Sequence, residues 1–156
     1  MKYEFTGLTK TVNGVTVRQI KRISDGVIGG WIESEKNLDQ NGDCFIYHNA
    51  VVSGDAVVSG DALVFGDAMV FGNASVSGNA LIYDNAVVFG YARVSGNAVV
   101  FANAWVYGNA SVSGNASVSG NARVSGNASV SDNAVVFGNA LVSGNAKVYR
   151  NDVITD

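Results

Sequence analysis

Ala50 opens a column of alanines that returns at every sixth residue up to Ala146, and a valine or isoleucine stands two places after each of them. One repeat reads Ala110-Ser111-Val112-Ser113-Gly114-Asn115. In an extended chain, residues two apart point to the same side, so the alanine and valine columns face inward and the residues beside them face outward. The Gly-Asn pair that follows supplies two residues that tolerate positive φ at low cost, which suits a sharp corner between short strands. No such repeat can bury its apolar face alone. The pattern predicts a solenoid in which each six-residue side stacks on the next turn.

Sorting the outward positions shows how many sides make a turn. At a spacing of eighteen they separate into three faces. Face I carries Val51 and Ser53, Met69 and Phe71, Val87 and Phe89, Trp105 and Tyr107, Arg123 and Ser125, Leu141 and Ser143. Face II is the serine face, with Ser75, Ser77, Ser111, Ser113, Ser129 and Ser131 around Arg93. Face III carries Phe45 and Tyr47, Leu63 and Phe65, Leu81 and Tyr83, Val99 and Phe101, Ser117 and Ser119, Val135 and Phe137. A twelve-residue turn would mix serine with phenylalanine on every face. The expected fold is therefore all-β, a triangular parallel β-helix of about six coils, roughly 30 Å tall. Its corner asparagines and aspartates, broken only at Tyr91, are placed to hydrogen-bond from coil to coil.

The motif Val-Ser-Gly-Asn-Ala-Ser resembles the hexapeptide repeat of left-handed parallel β-helix proteins, over residues 40–156. The resemblance implies left-handed coils and favours trimers. The stretches Gly29-Gly30-Trp31-Ile32-Glu33-Ser34-Glu35-Lys36-Asn37-Leu38 and Gly42-Asp43-Cys44-Phe45 are also similar to a largely uncharacterised group of acetyltransferase-like hexapeptide proteins of bacteria and their prophages.

Residues 1–39 read as a cap. Tyr3 to Thr9 and Val15 to Ile23 predict two strands joined by a tight turn at Asn13-Gly14, and Gly26 to Ile32 a third. A solenoid's first coil needs such a cover for its open core and unpaired edge. The absence of proline agrees with a body made of ladders.

Composition narrows the function. With 47% hydrophobic and 15% charged residues, much apolar surface has to be covered, and a net charge of -3 offers no basic field for nucleic acid. The single cysteine and a start without an apolar leader predict a cytoplasmic protein with no membrane span. Faces I and III adjoin, and together they exceed the apolar patch a monomer ordinarily exposes. Phe65, Phe71, Tyr83, Phe89, Phe101, Trp105 and Tyr107 are thus the candidate interface or ligand-stacking residues, in a homotrimer that leaves face II in water. Contact is expected to stop near Tyr107, where Ser117, Ser119, Arg123 and Ser125 form a polar band; the competing expectation is that the N-terminal segment covers one face.

The expected role is a non-catalytic structural or binding module without cofactor or metal. The alternative implied by the resemblance is a CoA-dependent acyltransferase, using acetyl-CoA or another acyl-CoA at a cleft between subunits with His48 as the base. No loop excursion and no C-terminal helix supply the walls of such a cleft. Cys44 takes an inward alanine position and reads as a buried thiol, and Asp43 and Asp61 read as corner residues, not a calcium ladder.

Overall fold

The computed structural model describes residues 1–156. Tyr3–Val12 (β1) and Val15–Arg22 (β2) form an antiparallel hairpin. Asn13 and Gly14 both take positive φ, 49° and 80°, as a two-residue turn matching the twist of its strands requires. Gly7, at φ 95°, lies where the register between β1 and β2 shifts. Strand β2 pairs antiparallel with Ile28–Ile32 (β3), and β3 pairs parallel with Val51–Val52, the first body strand of face I. The hairpin thus extends the face I sheet at its N-terminal end.

From β3 onward the chain is a parallel solenoid of about 7 turns with 18 residues per coil. Each face of the body is a stack of two-residue strands one coil apart, in sheets of 9, 7 and 6 strands, the first of which begins with β1, β2 and β3 of the N-terminal segment. The outward residue's N–H donates to the carbonyl of the inward residue one coil on, as Val51 does to Ala68 at 3.0 Å and Leu63 to Ala80 at 3.0 Å. The corners join in the same way, with Asn73 N–H on Gly90 O at 2.8 Å. Every strand and corner below the last coil is therefore held by the turn above it.

The inward alanine and valine columns are buried from Ala50 to Val142, with Ala146 exposed in the last turn, and form one continuous core with Tyr3, Ile20, Ile32 and Leu38 of the N-terminal segment. Burying each valine contributes on the order of 1.5–3 kcal/mol, so stability accumulates turn by turn.

At the corners the structure refines the sequence reading. Only the first residue of each Gly-Asn pair takes positive φ. The second is free to use its side chain, and Asn79, Asn97, Asn115 and Asn133 each donate an amide N–H to the next asparagine in their column, at 3.0 to 3.4 Å. The glycine column has a second reason to lack a Cβ. One added at Gly120 would stand 2.8 Å from the backbone nitrogen and oxygen of Gly138, the corner residue of the next coil.

The N-terminal end is closed by specific contacts. Tyr3 is buried, and its hydroxyl donates toward the carbonyls of Glu35 and Leu38, at 3.1 and 3.3 Å. Asn37 is buried with its polar atoms satisfied: Nδ2 donates to Gly54 O and Ala56 O, and Oδ1 accepts from Ser34 N–H. Phe45, an outward residue by its place in the repeat, is only 1% exposed. It packs edge to face on Tyr47 with the Arg22 guanidinium 5.1 Å from its ring, so the cap covers the first rung of face III.

Candidate functional site

Faces I and III meet at the corner line through Gly66-Asp67, Asp84-Asn85 and Ala102-Asn103, and the solenoid brings the aromatic residues of each face into register one coil apart. On face III, Phe65, Tyr83 and Phe101 form a ladder with ring centroids 4.8 and 5.0 Å apart and planes within 3° and 8° of parallel. On face I, Phe71, Phe89 and Tyr107 form a second, with spacings of 5.1 and 4.9 Å and angles of 7° and 3°. The strand spacing sets the rung spacing. Trp105 stands apart from this order, its ring at 80° to Phe89 and Tyr107, and the Arg123 guanidinium lies 5.0 Å from its centroid.

This geometry decides what the rings can offer. Both faces of Tyr83 and of Phe89 are covered by their ladder neighbours, so these rings present edges outward. A sugar or base can stack only at a ladder's end. Burial, and then the Asp84 carboxylate, hold the Tyr83 phenol above its ordinary pKa, so it stands neutral on face III. The hairpin tip reaches part of face I: Val12, Asn13 and Val15 line a cavity of about 210 Å³ with Ser53, Met69 and Phe71. It stops there. Trp105 remains 39% exposed, and Leu141 further along the face 65%.

His48 occupies the glycine position of the corner between faces III and I, at φ 57°, and is exposed. Its Nδ1 accepts the backbone N–H of Gly66, the corner residue one coil on, at 3.3 Å. Asp84 and Asp132 make the same bond from the same position, to the N–H groups of Ala102 and Arg150 at 3.2 and 3.0 Å. A neutral imidazole has one acceptor nitrogen, and this one is engaged in corner structure.

Two stretches of the repeat body, residues 92–108 and 116–132, match a family model described as the YdcK beta-solenoid repeat. The first holds Phe101, Trp105 and Tyr107, the second the polar band from Ser117 to Ser125. The chain is similar to that repeat in the turns where the ladders end. None of the curated proteins matches the chain.

A feature beyond the reach of the repeat pattern lies at the N-terminal end. Lys2 Nζ stands 3.0 Å from Cys44 Sγ and donates to the carbonyls of Asn41 and Gly42, while the buried thiol itself faces the carbonyls of Asp39 and Val58. A cavity of about 360 Å³ opens beside this pair, lined also by Arg22 and Gln40. Arg22 is held strongly protonated by Asp25 and then Tyr47, which fixes it as a structural cation between cap and body. Asp43 donates its backbone N–H to Asp61 Oδ1 at 2.9 Å, a corner-to-corner link. No helix is long and apolar enough to cross a membrane.

Proposed function

We propose that the protein is a rigid, non-catalytic binding module that assembles as a homotrimer through faces I and III, with the serine face in water. The observation that carries this reading is the pair of aromatic ladders on adjoining faces, together with Trp105, which the hairpin leaves uncovered. An edge flanked by two apolar sides is the shape that packs three times around a threefold axis, each copy burying the same patch. Rigidity follows from the core and from the corner amides. Against acyl transfer stands the engagement of His48 Nδ1, since a general base needs a free lone pair within reach of its proton.

Light scattering on a sizing column tests the assembly. The expected mass is three times the 16.2 kDa chain, and the double variant Phe89→Ser, Trp105→Ser is expected to elute as a folded monomer. A monomeric parent protein sinks the trimer. Acetyl-CoA turnover that disappears in His48→Gly, a substitution the corner accommodates, would favour the acyltransferase instead.

A further inference from the structure

The face III ladder has a missing rung. Phe101 stacks on Tyr83 below it, but the same column continues with Ser119 and then Phe137. The backbone fixes this succession: Phe101 N–H donates to Val118 O and Ser119 N–H to Val136 O, with Val99, Ser117 and Val135 paired in register beside them. The Phe101 and Phe137 positions are thus two strand spacings apart, roughly 10 Å, which is room for one flat ring at the ladder's own interval. Phe137 is 39% exposed.

Phe101 and Phe137 bound this gap in the column, and Ser117 and Ser119 occupy the coil between them. A purely carbocyclic ring would cover the serine hydroxyls without partners, at a cost that a ring with nitrogen or oxygen on its edge avoids. Around the adjoining corner lies a cavity of about 290 Å³, lined by Asn121, Arg123, Asn139, Ala140 and Leu141. Arg123 is exposed and belongs to none of the chain's three ion pairs; its guanidinium lies over Trp105, which leaves its N–H groups for an anion.

The geometry points to a binding site for a planar heteroaromatic ring carrying an anionic group, the chemistry of a mononucleotide. The ring completes the ladder between Phe101 and Phe137, and the anion reaches across Asn121 to Arg123. Apolar walls with a few convergent polar groups are the usual make-up of a small-ligand site, whereas the polar band is unlike the apolar centre of a subunit contact. The site lies on the edge shared by faces I and III, in the polar band beyond Tyr107 where the proposed subunit contact is expected to stop.

Adenosine 5′-monophosphate, adenosine and ribose 5-phosphate are the probes, titrated by proton NMR and calorimetry into the full chain. Sandwiching between two rings is expected to move the base protons of the nucleotide upfield in a saturable way. Ser119→Phe, which supplies the missing rung, is expected to abolish that shift while the protein melts at the same or a higher temperature. Phe137→Ser is a second route, expected to weaken binding several-fold. Arg123→Ala should bring the nucleotide down to the affinity of adenosine and leave adenosine unchanged. Base protons that do not shift, undiminished binding in Ser119→Phe, ribose 5-phosphate binding as tightly as the nucleotide, or a nucleotide affinity indifferent to Arg123→Ala would each overturn the assignment.

Discussion

Ala102 shows how much one atom matters at a corner. It takes φ 58° in a column where glycine is the rule, and the left-handed region costs a residue with a Cβ roughly 1–2 kcal/mol. Ala102→Gly is therefore expected to stabilise the protein by about 1 kcal/mol in urea denaturation, because Asp84 keeps its bond to the same backbone N–H. Gly120→Ala should do the reverse and by more, since its Cβ would press on the backbone of Gly138, which cannot yield without shifting a whole turn. The exceptional corner positions were open to inspection in the chain: His48, Asp84, Ala102, Asp132 and Arg150 each replace a repeat glycine. Their φ followed from that alone. That Asp84, Asp132 and His48 turn their side chains up to the next corner did not, because a bond between coils depends on the stagger of successive turns as well as on the repeat.

Among the elements, the hairpin is where titration meets stability. Tyr3 anchors β1 to the first turn, and its phenol pKa is pushed from 10.0 up to about 12, chiefly by burial and then by Glu35. A raised phenol pKa means that the folded state prefers the neutral form. The contribution is full below pH 10 and is lost as pH rises through about 12. Alkaline denaturation should thus begin at the cap, and Tyr3→Phe should flatten the dependence in that window while costing about 1 kcal/mol at neutral pH for its lost hydrogen bond. Circular dichroism melts at a series of pH values would check this, and a Tyr3→Phe curve parallel to the parent's would refute it. Asn13-Gly14 and the flanking alternation made the hairpin legible. The covering of Phe45 was not, because it arises from contacts between the cap and an outward position that the repeat alone assigns to a face. The ladders fell between these cases: the period of eighteen put the rings in columns, but whether rings stack flat or splay is a rotamer choice that packing makes.

At the scale of the whole molecule, each turn touches only its neighbours, so turns should be removable as units. Deleting residues 111–128 takes out one complete coil and joins Ala110 to Ser129, with each later strand on its original face one level lower. The corners, the inward columns and the asparagine columns all close again in register. The cut also removes Ser117, Ser119, Arg123 and Ser125, and sets Phe137 directly on Phe101. The shortened chain is expected to unfold in one cooperative step with a smaller denaturant slope, in proportion to the surface lost, and with a ladder of four rungs on face III. Deleting residues 111–122 instead preserves the corners but rotates every later face by one side, so Phe137 and Leu141 leave their columns. If three-sidedness merely described the composition, the two deletions would behave alike. If the eighteen-residue turn is the unit that folds, the first keeps both apolar faces continuous and stays as soluble as the parent. The second moves Leu141 onto the serine face and sets Ser129, Ser131 and Lys147 on face III, so that face's apolar column ends at Phe101, a difference that near-ultraviolet circular dichroism and a melt on each protein would measure.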